Sequence, residues 1–211
     1  MSLPLSKPIL YLITRGATTE ATTSASKEFQ DILIQVASAV AAGIHLIQLR
    51  EKKLTARVLF ELTVRAVENT RGSSTRLLVN DRADIAAGAG ADGVHLTTRS
   101  LGPKTVRTTF GDDFLIGVST HSLVEVKAAR DGGADFVVIG PIFPTTSKAE
   151  YGRPLGVDGL AELTSKLAAF PMLALGGISS DNAQECLRAG ASGVAGISLF
   201  SDPSAVGTIL K

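Results

Sequence analysis

Short apolar runs rich in Val, Ile and Leu alternate along the chain with longer segments whose apolar residues recur at three- and four-residue steps. The runs are Ile9–Thr14, His45–Arg50, Arg76–Asp81, Gly93–Leu96, Phe114–Thr120, Phe136–Ile142, Pro171–Gly177 and Gly193–Phe200. They lack a clean in–out alternation, which predicts strands of a parallel sheet covered on both faces. Between them, Lys27–Ala42, Ala56–Asn69, Ser122–Gly132, Gly159–Ala169 and Asp181–Ala189 read as helices, with Leu33, Val36 and Val40, then Leu160, Leu163 and Leu167, at helical spacing.

A weak internal repeat supports the count. Gly43-Ile44-His45, Gly90-Ala91-Asp92, Gly133-Ala134-Asp135 and Gly190-Ala191-Ser192 each follow an Ala-rich helix end and precede an even-numbered run. A glycine there can close the helix with a left-handed residue before the chain enters the sheet. Eight strand–helix alternations without a linker or a break in composition predict a single (β/α)8 TIM barrel spanning residues 1–211. A doubly wound flavodoxin-like sheet, the alternative, normally uses fewer strands.

Composition narrows the class of partner. The 211 residues suffice for one sizeable core, and 45% hydrophobic with 19% charged residues excludes disorder. Lys plus Arg total 21 against 20 for Asp plus Glu. That balance gives no reason to expect a nucleic-acid or acidic-membrane partner. The single cysteine, Cys186, reads as a half-buried helix residue and excludes an intramolecular disulfide. No signal-peptide pattern opens the sequence, and no apolar run approaches about 18 residues. The expected location is the cytoplasm.

In a barrel of this kind the chemistry belongs at the C-terminal ends of the strands. After the second run, Gln48, Arg50 and Lys52 fall on a common side in extended backbone, and the two cations suit a pyrophosphate. After the third run, Asn80-Asp81 offers a carboxylate that either holds a Mg2+ bridging phosphate oxygens or caps the following helix. The fifth run ends Ser119-Thr120-His121, and His121 is placed to be an acid or base. His45 and His95, at the bottom and middle of their runs, read as structural. The connection after the sixth run carries Thr145, Ser147 and Lys148 and is long enough to act as a lid. Gly176-Gly177 and Ile197-Ser198 form the expected phosphate cradle after strands seven and eight.

The chain resembles the thiamine phosphate synthase family and its thiazole tautomerase paralogues. The resemblance rests on Gln48-Leu49-Arg50-Glu51-Lys52, Val79-Asn80-Asp81-Arg82, Gly90 to Leu96, Gly117 to His121, Gly140 to Thr145, Leu155-Gly156 and Gly176-Gly177-Ile178, in the family's order. It implies a transferase that joins hydroxymethylpyrimidine pyrophosphate to thiazole phosphate. Pyrophosphate leaves, and the thiazole nitrogen captures the resulting carbocation. By position, Gln48, Arg50, Lys52, Asn80 and Lys148 match pyrophosphate and pyrimidine contacts, and Asp81 matches a Mg2+ ligand. Ser119, Thr145 and Ser147 match residues around the substrates, and Gly177, Ile197 and Ser198 match the thiazole-phosphate cradle. Lys148, Ser119 and His121 are the candidate catalytic groups.

One departure bears on the reaction. The family's usual Gly-Gln-Glu-Asp after the fourth strand is Thr97-Thr98-Arg99-Ser100 here, so serine replaces the aspartate expected as second metal ligand. Two alternatives follow: a metal-independent thiazole tautomerase using His121, or a non-catalytic paralogue that only binds phosphate ligands. Asp84, one helical turn beyond Asp81, either supplies the missing carboxylate or faces solvent. Apolar helix faces and the habit of the family allow a homodimer.

Overall fold

Alternate residues of each strand serve two separate apolar layers. The computed structural model describes residues 8–145, 153–167, 169–201 and 204–210. Its strands are β1 (Ile9–Ile13), β2 (Leu46–Leu49), β3 (Arg76–Asn80), β4 (Gly93–Leu96), β5 (Leu115–Thr120), β6 (Phe136–Ile139), β7 (Met172–Ala174) and β8 (Gly193–Gly196). All neighbours pair in parallel, and β1 pairs with β8, closing the barrel in chain order. Ile9, Tyr11, Ile13, Leu46, Leu78, Phe136 and Leu173 fill its interior. Leu10, Leu12, Ile47, Leu49, Leu77 and Val79 point outward against the helices. Both faces are apolar because both are covered, which is why the sequence shows no period-two pattern.

The helices are α1 (Lys27–Ala41), α2 (Ala56–Thr70), α3 (Ala83–Ala89), α4 (Pro103–Phe110), α5 (Leu123–Asp131), α6 (Gly156–Lys166), α7 (Ala183–Arg188) and α8 (Ser204–Ile209). The Thr55 and Ser122 side chains accept N–H groups in the first turns of α2 and α5, and Pro103 opens α4, where its missing N–H costs nothing. Several expected boundaries shift: the seventh strand stops at Ala174 rather than Gly177, and α6 begins at Gly156 rather than Gly159. The sixth strand stops at Ile139, because Pro141 has no N–H to extend the ladder. The eighth stops at Gly196, and Leu199–Ser201 forms a 3-10 turn.

The fourfold repeat has a common structural purpose. Gly43, Gly90, Gly133 and Gly190 all take positive φ, between 75° and 90°. The third residue of each repeat then accepts a backbone N–H from the preceding strand. His45 Nδ1 accepts from Leu10 and Asp92 from Leu77; Asp135 accepts from Ile116 and Ser192 Oγ from Met172. Each odd strand is thereby stapled to the start of the next even one, at the bottom of the barrel. Asp92 and Asp135 also pair with Arg76 and Arg107. The opposite rim is left for loops with other duties.

Candidate active site at the barrel rim

Closing the sheet brings strand ends distant in sequence into one mouth. A cleft of about 280 Å³ there is lined by Gln48, Arg50, Lys52, Asn80, His95, Ser119 and His121, with Leu175 and Ile197 on its apolar side. An adjoining cleft of about 310 Å³ shares Lys52, Asn80, Thr97 and Arg99 and adds Asp81. A larger groove of about 510 Å³ lies outside the mouth, between α1 and the C-terminal segment. It lacks the cluster of cations found at the rim.

Asp81 is the one non-glycine residue among those described with positive φ, at 61°, and backbone strain of this kind persists where surrounding contacts enforce it. Its N–H donates to the His95 carbonyl. One carboxylate oxygen accepts from Asn80 Nδ2 at 3.0 Å; the other accepts from Thr97 Oγ1 at 3.3 Å and from the Ser100 hydroxyl. Asp81 therefore does not cap the next helix: Arg82 holds that position, with no side-chain cap bond. Asp84 pairs with Arg82 at 2.6 Å on the solvent side and lines neither cleft.

Arg50, Lys52 and Arg99 line these clefts, and no salt bridge among the described residues engages them. Partial desolvation, reinforced by Arg50 and Arg99, pushes Lys52 below the ordinary lysine range against the opposing pull of Asp81. Three cations near one carboxylate leave this part of the rim with a surplus of positive charge. The adjacent Glu51 is not their counter-ion. It is buried, and its oxygens accept from Thr14 Oγ1, the Gly16 N–H and Thr18 Oγ1, which fixes the loop after β1.

Below the cations runs a buried polar chain. Gln48 Nε2 donates to the Tyr11 hydroxyl at 2.8 Å, that hydroxyl lies 3.1 Å from His95 Nδ1, and His95 Nε2 lies 2.9 Å from Ser119 Oγ. In the sequence His95 reads as structural and Tyr11 carries no signal. His95 is indeed only 2% exposed, yet it lines the cleft and touches Ser119. Its pairing opposite Asn80 in the sheet register is the signal that links it to the rim. His121 also lines the cleft. Its Nδ1–H donates to the Gly140 carbonyl at 2.6 Å, so the neutral ring carries its lone pair on Nε2.

The cradle side is built from backbone. Gly176 and Gly177 have φ of 98° and 67°. A Cβ on Gly177 would stand 2.7 Å from Phe143 Cβ, so a side chain is excluded. Among the described residues neither the Gly177 nor the Ile178 N–H donates to a backbone carbonyl. Ile197 lines the cleft, and exposed Ser198 precedes the 3-10 turn. The Ile142 and Phe143 N–H groups donate to Leu175 and Gly176 carbonyls, holding the start of the next loop, up to Thr145, against this rim. Ser147 and Lys148 lie outside the described residues.

A family model described as thiamine monophosphate synthase matches residues 10–200. A putative thiamine-phosphate synthase of Geobacter sulfurreducens is 47% identical over 175 residues, 82% of each chain. A thiamine-phosphate synthase of Azorhizobium caulinodans is 38% identical over 190 residues, covering 90% of this chain and 85% of its own. The solved structure of a thiamine phosphate pyrophosphorylase from Pyrococcus furiosus superposes with a TM-score of 0.80 at 29% identity, covering 97% of this chain and 95% of that one.

Proposed function

The chain belongs to the thiamine monophosphate synthase family, and we propose that its rim couples hydroxymethylpyrimidine pyrophosphate to thiazole phosphate with release of pyrophosphate. The observation that carries this reading is the grouping of Arg50, Lys52 and Arg99 around Asp81 beside a cleft floored by Gln48 and Ser119. In the reaction the bond between the pyrimidine methylene carbon and the pyrophosphate oxygen breaks, and the thiazole nitrogen bonds to that carbon. Negative charge grows on the leaving oxygens as the bond breaks. Fixed cations in a partly desolvated cleft stabilise that charge without reorganising. The second substrate's phosphate, held by backbone N–H groups at Gly177 and Ile178 and by Ser198, fixes the nucleophile against the carbon.

The donor set at Asp81 fits Mg2+. No group of three or more His, Cys, Asp or Glu side chains that could hold a metal occurs among the described residues. Mg2+, however, is commonly held by one or two carboxylates together with substrate phosphates. The Asp81 carboxylate and the Ser100 hydroxyl, bonded to each other at one corner of the rim, are hard oxygen donors, and they are the residues that would hold it. The ion, when bound, supplies positive charge to the phosphate oxygens.

A second reading is favoured by Ser100 in place of a carboxylate and by the Nε2 lone pair of His121: a thiazole tautomerase that needs no metal. Release of pyrophosphate, measured with both phosphorylated substrates at millimolar Mg2+, separates the two. Pyrophosphate release that chelation stops supports the synthase. No pyrophosphate release, with isomerisation that survives chelation, overturns it.

A further inference from the structure

The buried chain beneath the cleft contains four polar side chains from four strands, and its proton positions can be deduced. The Gln48 amide nitrogen has only hydrogens to offer, so the Tyr11 oxygen accepts there. Tyr11 is fully buried and has one hydrogen of its own. His95 Nδ1, at 3.1 Å, is the acceptor within reach. The whole chain could run the other way only with the Gln48 amide flipped; with its nitrogen on Tyr11, a His95 Nδ1–H donating to Tyr11 would leave the phenolic hydrogen without a partner inside the barrel. That costs far more than one ordinary hydrogen bond gains, and no buried side-chain polar atom among the described residues lacks a partner. Burial pushes the Tyr11 hydroxyl well above the ordinary tyrosine range despite the opposing Gln48 bond, so the hydrogen stays on.

With Nδ1 accepting, a neutral His95 carries its hydrogen on Nε2, which donates to Ser119 Oγ at 2.9 Å. We propose that Tyr11 and His95 are positioning residues that set the hydrogen-bonding polarity of the cleft: Gln48 is left with its carbonyl oxygen to accept, and Ser119 with its hydroxyl hydrogen to donate. An uncoupled Gln48 amide can flip and a serine hydroxyl can rotate, so each could offer either polarity. The relay ties the two ends together, so that neither changes polarity unless all four groups reverse at once, which is preorganisation rather than added binding. Phe136, edge-on to Tyr11 at 5.6 Å, keeps the phenol in place. The class of ligand selected has a donor and an acceptor on one planar edge, as an aminopyrimidine does. That last step rests on the proposed synthase reading; the proton arrangement does not.

Two arms test the proposal and separate it from that reading. Long-range 1H–15N correlation on the uniformly labelled wild-type protein at pH 7.5 reads the His95 tautomer directly, with no substrate present. The expected result is a neutral ring with the hydrogen on Nε2; a hydrogen on Nδ1 overturns the relay whatever the enzyme catalyses. The kinetic arm compares His95→Gln, whose amide N–H can reach Ser119, with His95→Leu, which has none. The expected kcat loss is about tenfold or more for Leu and under about threefold for Gln, with KM moving less than kcat. In the double variant His95→Leu/Ser119→Ala, the loss should be no larger than for Ser119→Ala alone, since the two act as one unit. Equal losses for Gln and Leu, or fully multiplicative losses in the double variant, mean that His95 is only structural. An Nε2–H tautomer in a protein that shows no transfer activity leaves the relay standing and removes the synthase reading.

Discussion

The Ser100 hydroxyl donates to the Asp81 carboxylate, joining the loop after β4 to the end of β3 across the barrel rim. Serine is a neutral donor where the family pattern has a second carboxylate, so a dication bound here would depend more heavily on substrate phosphates. Ser100→Asp places two carboxylates together, which repel unless a cation lies between them. The expected outcome is a lower half-saturating Mg2+ concentration, by about tenfold, read from initial rates across a Mg2+ titration. An unchanged or higher value would show that this corner of the rim does not hold the ion.

On the proposed reading the cations divide the work of holding pyrophosphate. Arg50→Gln and Arg99→Gln should each weaken product inhibition by inorganic pyrophosphate by about tenfold, the scale of one charge-assisted hydrogen bond. Arg99 is the informative case, because it is solvent-exposed and its side chain lines both clefts. An inhibition constant that Arg99→Gln leaves untouched would place Arg99 outside the anion site.

Asp135 lies at the other end of the barrel, accepting from the Ile116 N–H and Arg107 at 2.7 Å each. Removing the carboxylate leaves a strand N–H and a guanidinium short of a partner, so Asp135→Ala should cost about 2 kcal/mol of stability in urea unfolding. The kcat of the folded variant should stay near that of the wild type, because stability and chemistry occupy opposite faces of the barrel. A comparable fall in kcat with intact stability would contradict that separation.

Cys186 is fully buried, and burial pushes its thiol from 9.0 up to about 11. As pH rises, the unfolded chain loses this proton first, so the thiol's contribution to stability is complete below about 9 and drains away towards about 11. At pH 8 a thiol reagent should label Cys186 only as fast as the protein opens. Rapid stoichiometric labelling of the native protein would contradict its burial.

The barrel itself was legible because its signals are local: apolar runs, helical spacing and glycines at four helix ends. The reason for the repeat was less so, since nothing in Gly-Ile-His and Gly-Ala-Ser suggests that His45 and Ser192 do the same work as Asp92 and Asp135. Asp81 stood open between metal ligand and helix cap until its left-handed backbone and the donors from the loop after β4 decided against the cap. Asp84 could not be placed from spacing alone, and its pairing with Arg82 turns it to solvent. Tyr11 carries no signal in the sequence and His95 reads as structural, because they are 84 residues apart and meet only when the sheet closes. A histidine within an apolar strand looks like any buried residue until its neighbours across the barrel are known.

The central claim is that the cationic rim supports departure of pyrophosphate from an activated pyrimidine. 31P NMR of the purified protein with both phosphorylated substrates follows every phosphorus in the reaction at once. In the presence of Mg2+, the substrate diphosphate resonances should give way to inorganic pyrophosphate while the thiazole phosphate signal moves to that of the coupled product, and added chelator should halt both changes. Persistence of the diphosphate ester over the same period, with the thiazole component alone altered, would contradict the claim.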